Sequence, residues 1–119
     1  MAEVREFSTG ATRSSQEGKL EYRRFLSPTV LRRYAEFMHK NRLQPDGSFR
    51  DPDNWKKGIT LDSYMDSLGR HFMETWLLHD GQEVQDEKGN VVDLETVLCA
   101  LIFNSMGYLH ELLKNKENT

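Results

Sequence analysis

The chain has 119 residues, 37% hydrophobic and 29% charged, with a net charge of −3 and a single cysteine. That length fits one domain with a real core, and the composition excludes a disordered chain or a membrane protein. Cys99 has no partner for an internal disulfide and reads as a small buried thiol. The charge is uneven, with 12 Lys and Arg against 8 Asp and Glu in residues 1–60 and 4 against 11 in residues 61–119. A basic half able to hold phosphates and an acidic half able to hold a metal suit a nucleotide site. Attraction between the two halves, within the fold or across an oligomer interface, explains the same asymmetry.

Residues 1–18 are rich in Ser, Thr, Gly and Glu and show no hydrophobic periodicity, which predicts a flexible N-terminal segment. Acidic residues appear at once and no apolar h-region follows, so the expectation is an intracellular, cytoplasmic protein. A single helical domain is expected over 19–114. Lys19 to Leu26 sets Leu20, Tyr22, Phe25 and Leu26 among basic residues, as in a segment that leans on a core.

Ser27-Pro28 reads as an N-cap followed by proline at the first helical position. Val30, Leu31, Tyr34, Phe37 and Met38 continue at helical spacing and predict a helix ending near Leu43. Gln44 to Thr60 has the composition of a long loop, and long loops in small domains are often binding elements. Within it, Asn54-Trp55-Lys56-Lys57-Gly58 sets an amide, an indole and two ammonium groups side by side. An indole stacks on a nucleobase while a lysine meets phosphate, and it equally serves as a peg that fastens a loop to the core.

Thr60 caps a second helix that runs to about His79, with Leu61, Tyr64, Met65, Leu68, Phe72 and Trp76 on one face. His71 stands at the edge of that stripe with Glu74 three positions on, within reach for a shared metal or mutual orientation. Gly81 to Val92 is a polar connection with a short hairpin turning at Lys88-Gly89-Asn90. Asp93 caps the next helix, and Glu95 in its first turn suits the positive end of the helix dipole.

Leu94 to Leu113 reads as a long helix in which only Asn104 and Ser105 are plainly polar between Val97 and Leu109, so it predicts a central helix covered all round. Its apolar run is shorter than the ~18 residues a bilayer requires. A short chain offers few elements to cover it, which points to a second copy. Asn104, an amide inside that helix, needs hydrogen-bond partners from a neighbouring helix, a symmetry mate or a ligand. A flexible tail is expected over 115–119. The fold class is therefore all-α: a small helical bundle around one apolar helix, completed as a homodimer or homotetramer. No glycine-rich phosphate loop, Cys/His zinc spacing, nucleophile elbow or repeat is present, and the acidic second half disfavours nucleic acid as partner.

Four segments together carry a family resemblance: Glu17-Gly18-Lys19-Leu20-Glu21-Tyr22, Asn54 to Ile59, Gly69-Arg70-His71-Phe72 with Trp76, and the central helix with Asn104. In order and spacing they resemble the small bacteriophage-type proteins assigned as the dATP/dGTP diphosphohydrolase N-terminal domain, over about residues 8–113. That group is similar to the all-α nucleoside triphosphate pyrophosphohydrolases of the MazG type, which are helical oligomers that cut a (d)NTP to monophosphate and pyrophosphate with magnesium. The resemblance implies that Lys19, Lys56 and Arg70 hold phosphates, that Asn54, Trp55 and Asn104 shape the pocket, and that the host is a bacterial cell. His71 and Glu74 become the catalytic candidates, and Glu74 and Glu95 the magnesium ligands. MazG-type enzymes carry E-x-x-E and E-x-x-D pairs where this chain has His71-x-x-Glu74 and Glu95-x-x-Leu98. Asp62, Asp66, Asp80 and Glu36 are all open as substitutes. Three functions follow as expectations: hydrolysis of a purine (d)NTP, binding of a nucleotide without turnover, and a structural oligomer without ligand.

Overall fold

The computed structural model describes residues 3–117. The chain divides into two compact units, Met1–Leu31 and Arg32–Thr119. In the first, β1 (Val4–Glu6) pairs antiparallel with β2 (Thr12–Ser14), with Val4 opposite Ser14 and Glu6 opposite Thr12. The turn closes through the Phe7 and Ala11 backbones, and Gly10 takes a φ of +89°, which glycine adopts at no steric cost. A flexible segment was the expectation here. Three-residue strands are too short to show an alternating pattern, so the ordering comes from turn chemistry and a backbone ladder. A one-turn helix, α1 (Tyr22–Phe25), follows.

Helix α2 (Pro28–Lys40) begins in the first unit and continues into the second. Ser27 is its cap, its hydroxyl accepting from the Val30 N–H at 3.3 Å. It stops short of Leu43 because the chain turns into a small hairpin, in which Leu43 bridges to Phe49 and the Arg50 N–H donates to the Arg42 carbonyl at 2.8 Å. Asp46 holds the turn by accepting from the Ser48 N–H at 2.9 Å. The stretch expected as a loop is therefore locally ordered, and it ends in a short 3-10 turn, Asn54–Lys57.

Helix α3 (Leu61–His79) is capped by Thr60, which accepts from the Ser63 N–H at 3.3 Å. The connection after it forms the expected hairpin: Gln85 bridges to Val91, and Asp86 accepts from the N–H groups of Lys88 and Asn90, each at 2.9 Å. Asp93 then caps α4 (Leu94–Glu117), accepting from the Thr96 N–H at 2.7 Å. That bond holds the Asp93 carboxyl below the usual carboxylate range. The tail expected from 115 is helical as far as Glu117, and residues 1–2 and 118–119 lie outside the described residues. Helix α4 has 24 residues and contains an 18-residue window of mean hydropathy 1.3, which meets the length and composition requirement for a membrane span, a test the core helices of soluble proteins also pass.

The architecture is mostly helical, with one small two-stranded sheet. The second unit is organised by the packing of α3 on α4, and its buried centre is Tyr64, Val97, Cys99, Ala100 and Asn104. Close approach is possible because Gly107 faces Tyr64: a Cβ at that position would run into the phenol ring. Among the described residues, α4 is not covered all round. One arc of the helix is packed and another, carrying Leu98, Ile102 and Leu109, is open to solvent.

Candidate functional site

The 3-10 turn places Trp55 against α4. Its indole lies edge-on to His110 with ring centroids 4.8 Å apart, and to Phe103 at 6.4 Å, while Phe103 in turn meets Tyr64 at 5.9 Å. The peg reading of Trp55 is thus met on one side. On the other, Trp55 forms a wall common to two cavities, one of about 300 Å³ and one of about 360 Å³. The smaller is bounded by Asn54 and Trp55, by Phe37 and Phe103, and by Arg42, Arg50 and Asp51. The larger is bounded by Tyr34, Met38, His39, Arg42, Pro52 and Met106 together with Trp55.

Local bonds set the polar groups of the smaller cavity. Arg42 Nε donates to the Arg50 carbonyl at 2.7 Å, so one edge of its guanidinium is fixed, and its plane lies 5.7 Å from the Phe49 ring centre. Lys57 approaches Asp51 at 4.0 Å, and the Lys56 ammonium stands 5.6 Å from the Trp55 ring centre. The result is a concave surface with an aromatic wall, an amide and two guanidinium groups. Guanidinium groups match phosphate oxygens in pairs, and an indole offers a π-face to a base.

Arg42 and Arg50 escaped the sequence reading. Arg42 extends the Phe37 and Met38 side of α2 by one turn, a signal that was present. Arg50 arrives through the Leu43–Phe49 bridge, which no periodicity announces.

Of the other expected site residues, those of the second unit do not line this cavity. Lys19 is in the N-terminal unit, its N–H donating to the Gln16 carbonyl at 3.0 Å. Arg70 is exposed on α3 and donates to the Ser67 hydroxyl at 2.9 Å. Asn104 is buried and donates to the Ala100 carbonyl of its own helix at 2.8 Å, so part of its hydrogen-bonding need is met without a ligand. His71 Nδ1 and Glu74 Oε1 are 2.7 Å apart and half-buried, as the spacing requires. Glu95 is exposed and accepts from Arg33 Nε at 2.8 Å, a bond that raises the Arg33 guanidinium above its ordinary value.

Glu74 is engaged by His71 and Glu95 by Arg33. Among the described residues no group of three or more His, Cys, Asp and Glu side chains converges as a metal site.

No family model, curated protein or solved structure matches this chain.

Proposed function

We propose that the protein binds a purine nucleotide in the cavity bounded by Asn54, Trp55, Arg42 and Arg50. The observation that carries this reading is the convergence of the Trp55 indole, the Asn54 amide and the Arg42 and Arg50 side chains on one cavity of about 300 Å³, which Asn41 and Asp51 also line. That volume lies at the lower end of the roughly 300–1,000 Å³ typical of ligand sites. In this reading Trp55 stacks on the base and the Asn54 amide, both donor and acceptor, meets its edge. Arg42 and Arg50 take the phosphates, with Lys56 as an accompanying charge. Apart from Arg42 and Arg50, these are groups that the family resemblance had also singled out.

A second reading is turnover of the bound nucleotide to monophosphate and pyrophosphate with magnesium. The His71–Glu74 contact at 2.7 Å favours it, since a carboxylate-oriented imidazole is a suitable general base. It requires further acidic ligands beyond those one chain brings together, and no step is assigned to the metal.

A thermal-shift screen against NTPs and dNTPs, with and without magnesium, separates the readings, because a ligand of the folded state raises the melting temperature by mass action. Binding predicts a shift with intact nucleotide recovered by chromatography. Trp55→Ala should then weaken affinity about 5- to 150-fold, the equivalent of the roughly 1–3 kcal/mol that base stacking contributes. Arg50→Ala, at an exposed position, keeps the test open if the tryptophan variant fails to fold. Monophosphate that disappears in Glu74→Gln would move the conclusion to the hydrolase. Absence of any shift leaves a structural protein without ligand.

A further inference from the structure

One group in the Trp55 cavity does not suit phosphate. Asp51 lines it together with Asn54, Trp55, Arg42 and Arg50, and a carboxylate next to a phosphate repels it. Asp51 is not neutralised by a close ion pair either. Lys57 stands 4.0 Å away and the Asp51 side chain is 73% exposed, so that contact holds its carboxylate only weakly. The oxygens are left with lone pairs for a ligand, and the ligand group they suit is a donor.

The local fold sets this carboxylate beside the aromatic wall. The Asn54 N–H donates to the Asp51 carbonyl at 3.0 Å, closing a four-residue turn that leads into the 3-10 turn Asn54–Lys57. Turn closure holds the two Cα atoms within about 7 Å of each other. Carboxylate, amide and indole therefore come from one short segment. The Arg42 guanidinium reaches the cavity from beyond the end of α2 and is fixed to the Arg50 carbonyl at 2.7 Å.

We propose, resting on the nucleotide binding inferred above, that Asp51 reads the Watson–Crick edge of the base stacked on Trp55 and makes the cavity selective for guanine. Guanine presents two adjacent donors on that edge, N1–H and the 2-amino group, and the two oxygens of a carboxylate accept both in a charge-assisted pair. Adenine presents N1 as an acceptor there, so the same carboxylate meets a lone pair. A site built to pair with donors rejects the analogue that lacks them, because its own polar group is then left unpaired. A carboxylate also accepts from ribose hydroxyls, but in that role it is indifferent to the base.

The test is equilibrium dialysis of the whole protein in EDTA against GTP, ITP, ATP and dGTP, beside Asp51→Asn. Inosine keeps N1–H and lacks the 2-amino group, so it removes one of the two donors. The expected order is GTP tighter than ATP by about 10-fold or more, with ITP between them and dGTP equal to GTP. In Asp51→Asn the ratio of GTP to ATP affinity falls towards one, while ATP binding is kept or strengthened because a negative charge has left the cavity. GTP and ATP bound alike by the wild type, or a ratio unchanged in Asp51→Asn, overturns the guanine assignment and leaves nucleotide binding standing. Affinity that follows the 2′-hydroxyl and not the base assigns Asp51 to the ribose and overturns it as well. If none of the four nucleotides binds the folded wild type, the nucleotide reading itself falls and the guanine assignment with it. The wild-type comparison of GTP, ITP and ATP decides the proposal even if Asp51→Asn does not fold.

Discussion

The two arcs of α4 are patterned in opposite ways. The arc packed within the chain carries the small or polar Cys99, Ala100, Asn104 and Gly107 beside the apolar Val97. The arc left open carries Leu98, Ile102, Leu109 and Leu113, which are large and apolar. An ordinary surface helix has the reverse arrangement. The contrast separates two jobs that burial can perform. The packed arc brings backbones close, so that α3 can set Tyr64 into the space that Gly107 leaves. The apolar area of the open arc contributes to stability only when water is removed from it.

The largest effect on the packed arc is expected from Gly107→Ala. Helix propensity alone favours alanine by about 1 kcal/mol. The added Cβ meets the rigid Tyr64 ring, however, and overpacking of this sort costs about 1–3 kcal/mol, occasionally more. A net loss of up to about 2 kcal/mol should appear as a lower midpoint in urea denaturation. Stabilisation instead would mean that α3 and α4 stand further apart than described, and the distinction between the arcs would fail at its tightest point.

This close approach shows where the sequence was legible and where it was not. The spans of α3 and α4 were readable because caps at Thr60 and Asp93 coincide with apolar periodicity. The His71–Glu74 contact followed from helical geometry alone. Which side of α4 packs inward could not be read, because hydrophobicity directs the large residues toward cover but does not say whether the chain itself supplies it. Gly107, a glycine inside a helical pattern, was the available sign of a close contact. The Trp55 cavity was half legible: Asn54 and Trp55 stood together in sequence. Arg42 and Arg50 meet there through a hairpin whose register rests on the Asp46 turn, a local bond with no periodic signature.

Tyr34 gives a pH-dependent probe of the same interior. Burial, and after it the neighbourhood of Cys99 and Tyr64, pushes the Tyr34 phenol from 10.0 up to about 12. A folded value above the unfolded one means that this stabilisation is complete below about pH 10 and is lost as the pH rises to about 12. The loss is on the order of 2 kcal/mol, after an allowance for the partial solvent contact of the ring. Chemical denaturation at successive pH values should show the decline, and Tyr34→Phe should reduce it. An unchanged decline in that variant would place the responsible group elsewhere.

The smallest expected effect bears most directly on the packed arc's polar character. Tyr64 is buried, and among the described residues its hydroxyl has no hydrogen-bond partner; Glu111 Oε1 is in the same condition. Burial, and then the charge of Glu111, raises the Tyr64 phenol above its ordinary value. An unpartnered buried hydroxyl carries a desolvation penalty, so Tyr64→Phe, which keeps the ring over Gly107, should be neutral or stabilising by less than about 1 kcal/mol. A loss of about 1 kcal/mol or more would show that the hydroxyl makes a bond in solution. Glu111 lies one helical turn beyond Gly107, and its unpaired oxygen is an acceptor suited to that O–H. In that case Tyr64 contributes through both its ring and its hydroxyl, and a double variant with Glu111→Gln would recover part of the loss through the coupling between the two sites. The packed arc would then hold α3 by a polar contact as well as by close approach, leaving the open arc as the side of α4 that depends on apolar area alone.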